Sequence, residues 1–287
     1  MLGHRVWKHR TGEFVLGGRT LIMGIVNVTP DSFSDGGKYF DAGAAAAHAM
    51  ALRDAGADLV DLGAESTRPG SQPVSASEQL QRLLPVLDRL RQQLNIPISI
   101  DTSLSEVAAL CLGKGAAIIN DVTGLRQDSN LAHVCAQSGA GVVVMHMRGT
   151  PATMQTDISY ADLFSEIHSF LFDSVAYALH AGIQQDHIVV DPGIGFGKTF
   201  EQNYLLLGGM KRFSDLAAGV LAGPSRKAFT GEFNERPAEQ RQYSTAAAVA
   251  LAALNGADIV RVHDVAEMRQ ITDIIDRFRE IHEQDRF

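Results

Sequence analysis

Residues 97–120 read PISIDTSLSEVAALCLGKGAAIIN and contain two short apolar runs, separated by enough chain for one helix. The first run, Pro97–Ile100, is followed at once by Asp101, and the second, Ala117–Ile119, by Asn120. Short runs that are apolar at nearly every position are typical of strands covered on both faces. The stretch therefore predicts a strand, a helix and a second strand, with a polar side chain at the end of each strand.

The same unit recurs along the chain. Eight apolar runs end in polar, charged or glycine residues, with room for a helix between consecutive runs: Leu21–Val28, Leu59–Leu62, Pro97–Ile100, Ala117–Ile119, Gly141–Met145, His187–Val190, Val220–Ala222 and Ile259–Val262. A strand followed by a helix, repeated eight times, predicts a (β/α)8 barrel, the TIM-barrel fold. The strands of that fold deliver their C-terminal residues to one rim, where the chemistry takes place. The polar clusters are therefore expected to form a single site.

The remaining segments predict one domain. Residues 1–19 are typical of a short N-terminal hairpin or arm with a turn at Thr11-Gly12, and residues 20–287 are expected to form the barrel. We expect helices over 42–55 after Asp41, from Ser77 to about residue 94, to about residue 113 with Ser103 or Ser105 as cap, from Ser159 or Asp162 to residue 181, and over 243–254. The last of these is almost purely Ala, Val and Leu, which predicts a helix buried beneath neighbouring helices or in a subunit contact.

Composition limits the class of protein. The 287 residues are 45% hydrophobic and 20% charged, with a formal net charge of −8, as in an ordinary globular protein. No apolar run approaches the roughly 20 residues of a membrane helix, and the acidic balance argues against nucleic acid and anionic membranes as partners. We therefore expect a soluble, cytoplasmic protein. The two cysteines, Cys111 and Cys135, are expected to be buried free thiols.

Cations and a small-residue loop at the strand ends favour a small anionic substrate. Five cations fall at or just beyond strand ends: Arg68, Lys198, Arg226, Lys227 and Arg261. The last two strands also deliver Ser225 and His263, so that they could neutralise a diphosphate or a carboxylate. Asn27 precedes a loop rich in oxygen donors that could hold Mg²⁺ or fold over a substrate. The structural alternatives are a polar turn at Asn27, a solvated Arg68 beside Thr67, and a His263 that only supports the fold.

Asp101, Asn120 and Asp191 form the most informative set, because each directly follows an apolar run and would point into the barrel mouth. A half-buried carboxylate is costly unless it is paired or bound to a ligand. A heterocycle with two parallel N–H donors would satisfy such an aspartate, and the alternative is a network that ties strand ends together. Met145, His146 and Met147 could line a ring pocket, although core packing is favoured for the methionines. The glycine loop 191–199 fits neither a Walker loop nor a dinucleotide fingerprint.

Taken in order, these segments resemble the dihydropteroate synthases over about residues 20–265. The matching blocks are MGIVNVTPDSFSDGG (23–37), ESTRPG (65–70), SIDT (99–102), NDV (120–122), MHMRGTP (145–151), DPGIGFGK (191–198), SRK (225–227) and RVHD (261–264). The resemblance implies a Mg²⁺-assisted condensation of 6-hydroxymethyl-7,8-dihydropterin diphosphate with p-aminobenzoate. The products would be 7,8-dihydropteroate and pyrophosphate, formed by an SN1-like path, and the enzyme would be a homodimer.

The resemblance also implies a role for each matching residue. Asp101, Asn120, Asp191 and Lys227 would hold the pterin; Asn27, Arg261 and His263 the diphosphate, with Asn27 as metal ligand; and Thr67, Arg68, Phe196 and Lys227 the aminobenzoate, with Val122 also at the substrate. The catalytic set would be Asp101, Lys227, Arg261 and His263. Ala228 stands where relatives often carry a serine, so anchoring of the aminobenzoate carboxylate is expected to differ.

Two other functions remain open at this point. A related pterin-binding barrel that transfers a methyl group would keep the ring pocket of Asp101, Asn120 and Asp191, without needing the cations Arg68 and Lys227. A non-catalytic paralogue would show damage in one of the two loops that follow Asn27 and Glu65, and both loops are intact in the sequence.

Overall fold

Eight parallel strands close into a barrel, as the repeat of apolar runs predicts. The computed structural model describes residues 5–29, 41–66, 70–156, 158–233 and 235–284. An N-terminal hairpin precedes the barrel, and the strands are β1 Arg5–His9, β2 Gly12–Leu16, β3 Leu21–Asn27, β4 Leu59–Gly63, β5 Ile98–Asp101, β6 Ile118–Asp121, β7 Gly141–Met145, β8 Ile188–Asp191, β9 Gly219–Ala222 and β10 Ile259–Val262. Each barrel strand pairs with the next along the chain, and β10 returns to pair with β3, which closes the barrel.

Eight helices surround the strands within the described ranges. They are α1 Ala42–Asp54, α2 Ala76–Leu90, α3 Ser105–Gly113, α4 Leu131–Ser138, α5 Leu163–His180, α6 Phe200–Gly208, α7 Gln242–Leu254 and α8 Val265–Gln284. Cys111 in α3 and Cys135 in α4 are buried and free, as expected. No helix of the described chain combines the length and the apolar character needed to cross a membrane.

Two helix starts differ from the sequence prediction. Ser75, not Ser77, caps α2, and its hydroxyl accepts the backbone N–H of Glu78. The spacing of Ser75 from Glu78 is that of a capping box, whereas Ser77 already lies in the first turn. Neither predicted serine caps α3, because the Ser103 hydroxyl donates to Asp121 and the Ser105 backbone N–H to Asp128. Asp41 caps α1 and Asp162 caps α5.

The barrel strands are apolar on both faces, because their outward side chains pack against the helices and their inward side chains pack inside the barrel. Outward side chains such as Val60 and Leu62 pack under the helices, while inward side chains such as Leu59 and Val143 fill the lower barrel. The hairpin covers this lower end, and the fully buried Trp7 donates its indole N–H to the His187 carbonyl at 3.1 Å. The interior is therefore apolar at the N-terminal end of the strands and polar at the C-terminal end, where the site lies.

Helix α7 is buried on one face only. Its small side chains Ala248 and Ala252 pack inward, and it lies against α8. An exposed apolar face remains on this helix pair, formed by Tyr243, Leu251 and Leu254 of α7 with Ile274, Phe278 and Ile281 of α8. We refer to these six side chains as the α7–α8 face.

Candidate active site

An ion network crosses the upper part of the barrel. Arg261, near the end of β10, donates from Nε to Asp61 at 2.7 Å and from Nη2 to Asp101 at 2.9 Å. Asn120, in β6, donates its amide N–H to the same oxygen of Asp61 at 3.0 Å. These four side chains come from β4, β5, β6 and β10, which the closed barrel brings together. One guanidinium thus faces two carboxylates, which leaves one negative charge in excess.

The pKa of Asp101 is raised in this network. Burial raises the pKa of Asp101 to about 7, since it removes the carboxylate from water, and Arg261 opposes the rise. The carboxylate of Asp61 raises the pKa of Asp101 further. A donor group on a ligand would relieve this cost, which suits Asp101 to accept N–H groups from a heterocycle.

Asp61 is a functional candidate that the sequence prediction missed. It lies inside β4, within the apolar run Leu59–Leu62, and its side chain is fully buried. The available signal was a carboxylate at an inward position of a strand that is otherwise apolar, since such a group must have a partner. Its Oδ1 and the hydroxyl of its register partner Ser99 have no hydrogen-bond partner within the described chain.

Asp191 ends β8 and points into the same space. Its Oδ1 accepts the backbone N–H of Gly193 at 2.7 Å. Burial raises the pKa of Asp191 to about 6, against the lowering effects of this hydrogen bond and of Lys198 and Lys227. The free acceptor capacity of the carboxylate faces the cavity, so that it can receive a further donor from a ligand.

An aromatic ring and a cation lie beside this acceptor set. The Lys227 Nζ lies 3.8 Å from the centroid of the Phe196 ring, in cation–π contact. Phe196 also packs with Met145, Met147 and Met154 in a small apolar cluster. Met145 lines the cavity, so it contributes both to packing and to a ring-shaped pocket.

One cavity brings together seven of the ten substrate-binding residues that the sequence predicts. It is lined by Asp101, Asn120, Val122, Met145, Asp191, Ile194, Phe196, Gly223, Lys227 and Arg261. His263 lies just beyond β10, with its Nδ1 2.9 Å from the Ser225 hydroxyl, and burial lowers its pKa to about 3. The ring is therefore neutral at physiological pH. Thr67 and Arg68 lie outside the described residues.

Two of the cations that the sequence assigns to the rim have other partners. Arg226 makes a bidentate ion pair with Asp264, with its Nη2 2.6 Å from the carboxylate. Lys198 is fully buried below the surface of the loop, and its Nζ is 2.8 Å from His146 Nδ1. Neither Arg226 nor Lys198 lines the cavity, and their part in binding an anion stays a prediction. Lys227 and Arg261 are the cations that line the cavity.

Asn27 is the metal ligand that the sequence predicts. This side chain lies at the C-terminal end of β3 and is partly exposed at the rim. Among the described residues no group of three or more His, Cys, Asp or Glu side chains is placed to bind a metal ion. The loop that follows, residues 30–40, lies outside the described part of the chain.

Known proteins resemble this chain over nearly its whole length. The family model described as pterin binding enzyme matches residues 23–263. A dihydropteroate synthase of Synechocystis is 44% identical over 92% of this chain and 91% of its own. The dihydropteroate synthase structure from Yersinia pestis with a sulfonamide drug has a TM-score of 0.90 at 38% identity and covers 96% of this chain and 99% of that one.

A second structure, the Xanthomonas albilineans dihydropteroate synthase with 4-aminobenzoic acid, has a TM-score of 0.88 at 41% identity. It covers 97% of this chain and 98% of that one. The matched region begins within β3, includes every later strand of the barrel and contains all seven cavity-lining residues that were predicted from the sequence. The chain belongs to the family of pterin-binding enzymes and, within it, to the dihydropteroate synthases.

Proposed function

We propose that the protein joins 6-hydroxymethyl-7,8-dihydropterin diphosphate to p-aminobenzoate, with release of pyrophosphate and formation of 7,8-dihydropteroate. The observation that carries this proposal is the combination in one cavity of an acceptor set, Asp101, Asn120 and Asp191, with the aromatic–cation pair Phe196 and Lys227. The first set suits a heterocycle with several N–H donors, and the second suits an aromatic acid. The Xanthomonas albilineans relative, solved with 4-aminobenzoic acid, supports the second assignment.

The pterin ring would lie over the acceptor set. The Asp191 carboxylate would receive two parallel N–H donors from the amidine-like edge of the ring, and the Asn120 side chain would contact another ring edge. Asp101 lies across the cavity and would stabilise positive charge on the ring once the diphosphate leaves. Val122 and Met145 would close the apolar faces of the ring.

The diphosphate would lie at the rim above Arg261. Arg261 reaches the cavity, and its side chain is 21% exposed, so a phosphate oxygen can approach it. His263 is neutral and would donate a hydrogen bond from its ring to a phosphate oxygen. Both groups favour the departing pyrophosphate, because they face the charge that develops on it.

We also propose a Mg²⁺ ion at the diphosphate. The amide oxygen of Asn27 is a hard donor at the rim, and Mg²⁺ usually keeps several waters and substrate phosphates as ligands, so one protein side chain suffices. When bound, the ion would neutralise charge on the phosphate oxygens.

The attacking group is the amine of the aminobenzoate, so the protein needs no nucleophile of its own. In an SN1-like path the bond between the pterin methylene carbon and the diphosphate oxygen breaks first, and its electron pair leaves with pyrophosphate. The amine nitrogen then forms the new bond to carbon and loses a proton. Lys227 and Phe196 would hold the aromatic acid for this attack, with Thr67 and Arg68 from the loop after β4.

The proposal also covers the oligomeric state and the cellular compartment of the protein. We infer a homodimer, and the α7–α8 face supports it because it places six exposed apolar side chains on two helices in contact, whereas a free surface usually carries them singly. We place the enzyme in the cytoplasm, where free buried thiols such as Cys111 and Cys135 persist.

The test is pyrophosphate release by purified protein with the pterin diphosphate and Mg²⁺, with and without p-aminobenzoate. We expect release that yields dihydropteroate and that a sulfonamide suppresses. Methyl transfer from a reduced folate, without pyrophosphate release, would favour the methyltransferase barrel. Pterin binding without any product would favour a non-catalytic paralogue, and either result would overturn the proposal.

A further inference from the structure

Lys198 is the largest polar side chain in the core and has no part in the proposed reaction. It is 2% exposed, and its Nζ lies 2.8 Å from His146 Nδ1, 3.0 Å from the Phe196 carbonyl oxygen and 3.3 Å from the His146 carbonyl oxygen. Burial lowers the pKa of the Lys198 amino group. In its ammonium form the group has three N–H donors, and the three acceptors around it match them in number. Its buried position and its absence from the cavity lining separate it from Lys227, which faces the ligand.

The acceptor on His146 is itself held in place. Burial and, to a smaller extent, the neighbouring Lys198 lower the pKa of His146 to about 2, so the ring is neutral. In the tautomer that carries its proton on Nε2, Nδ1 accepts a hydrogen bond from Lys198. The ring packs edge-on against Phe170, with 4.7 Å between the centroids. The His146 ring therefore presents Nδ1 to Lys198 in a fixed direction.

Three contacts fix the loop that carries Phe196. Gly193, with a φ of +73°, passes so close to β7 that a Cβ there would lie 1.9 Å from the His146 carbonyl oxygen. At the other end of the loop, the Tyr160 hydroxyl donates to the Gly197 carbonyl at 2.8 Å. Between these points, the Phe196 carbonyl is held by Lys198. The Phe196 ring projects from this fixed backbone onto the Lys227 amino group.

We propose that Lys198 is a positioning residue: supported by His146, its buried amino group fixes the backbone of Phe196 and thereby the ring that binds the aminobenzoate. This inference rests on the proposed function, since it assigns Phe196 and Lys227 to the aromatic acid. The pterin is bound chiefly by Asp101, Asn120 and Asp191. Asp101 and Asn120 come from other strands, and Asp191, which ends β8 ahead of this loop, is oriented by the backbone N–H of Gly193 rather than by Lys198. Loss of the Lys198 contact should therefore act on one substrate and spare the other.

The experiment compares the KM values of the two substrates in Lys198→Met, which keeps an unbranched side chain of nearly the same length and removes its donors. Activity is measured at pH 8.5, so that Asp191, with a pKa of about 6, stays ionised. We expect the KM for p-aminobenzoate to rise about 10-fold or more, because a displaced binding group costs affinity steeply, while the KM for the pterin diphosphate changes by less than about 2-fold. The inhibition constant of a sulfonamide should rise in parallel.

Two His146 variants test the same contact without removing the Lys198 amino group. His146→Asn offers an amide oxygen to Lys198 and should stay close to the parent enzyme, whereas His146→Leu removes the acceptor and should repeat the effect of Lys198→Met. If Lys198→Met does not fold, this pair alone decides the question. Thr199→Ala is the matched control, since it removes the cap of α6 in the same loop and leaves the Phe196 contacts in place. It should lower the melting temperature and leave the ratio of the two KM values unchanged.

Phe196→Ala separates failure of this inference from failure of the proposed function. If Phe196→Ala leaves the KM for p-aminobenzoate unchanged, the proposed aromatic site is wrong and Lys198 has nothing to position. If Phe196→Ala raises that KM while Lys198→Met and His146→Leu change both KM values equally or neither, the contact only supports the fold and the inference is overturned.

Discussion

At the scale of single residues, Asp191 combines a functional role with a cost to the fold. Its carboxylate is buried at the end of β8, and the pKa is raised to about 6. The protonated acid has lost an acceptor, so the affinity for the pterin should fall as the pH is lowered through about 6. Asp191→Asn should weaken pterin binding at pH 8 by about 10-fold to 100-fold, the cost of a lost charge-assisted pair. Titration calorimetry with the pterin diphosphate measures it, and unchanged affinity would contradict the assignment.

The same substitution should stabilise the free protein. The native pKa of Asp191 lies above its usual value of 3.8, so the folded state binds the proton more tightly, and this contribution to stability is lost as the pH rises from about 4 through about 6. Asp191→Asn should therefore raise the free energy of unfolding by about 1–3 kcal/mol at pH 8 and remove this part of its pH dependence. Denaturant unfolding at pH 4.5 and pH 8 measures both. Asp186→Asn, at an exposed ion pair with Lys8, is the control and should show neither effect.

Lys227 is expected to act on both substrates, because it lines the cavity with Asp191 and contacts the Phe196 ring. Lys227→Ala should lower kcat/KM by about 100-fold to 1000-fold, as is usual when a cation that faces developing charge is removed. Steady-state kinetics with each substrate varied in turn measures the effect, and the exposed Lys211→Ala serves as control. A loss of pterin affinity with normal use of p-aminobenzoate would contradict the dual role.

At the scale of elements, the β8–α6 loop depends on a backbone approach that only glycine permits. Gly193 and Gly139 both have a positive φ, but a Cβ at Gly193 meets the His146 carbonyl, whereas at Gly139 it meets nothing within 4 Å. Gly139→Ala should therefore cost about 1 kcal/mol from the backbone alone, and Gly193→Ala about 3 kcal/mol or more, with loss of activity. Thermal unfolding measures the stability of the two variants, and pyrophosphate release measures their activity. Equal costs at the two positions would show that the loop can move away from β7.

At the scale of the whole molecule, we propose that the hairpin and the barrel form one folding unit. Trp7 is fully buried at the lower end of the barrel and packs against Phe14, with 5.8 Å between the ring centroids. Trp7→Ala should lower the free energy of unfolding by about 3–5 kcal/mol and keep a single transition. The control is Phe233→Ala, at a side chain that is 85% exposed, which should have little effect. Two separate transitions in the parent protein would contradict the single unit.

The α7–α8 face gives the dimer proposal its test. Ile274 is 71% exposed at this face, so a charge placed there would be costly to bury between two subunits. Ile274→Glu should sediment as a monomer at concentrations where the parent protein is a dimer, with its melting temperature measured alongside. Phe172→Glu, on the exposed side of α5, is the matched control and should remain dimeric. A parent protein that sediments as a monomer at tens of micromolar would end the proposal.

The sequence by itself determined the barrel and most of the residues that line its cavity. Asp101, Asn120 and Asp191 each directly follow an apolar run, and the fold brings all strand ends to one rim, so these three could be placed together from their position alone. Helix starts were less certain: Ser75 rather than Ser77 caps α2, because nearby serines compete for the same N–H groups.

Only the tertiary structure decided what each charge does. Arg261 and Asp61 are 200 positions apart and become partners because β10 closes onto β3, beside β4. Arg226 pairs with Asp264, which follows the next strand, and Lys198 turns inward onto His146, the residue after β7. The physical reason is that the effect of a charge depends on its burial and on its partners, and closure of the barrel fixes both.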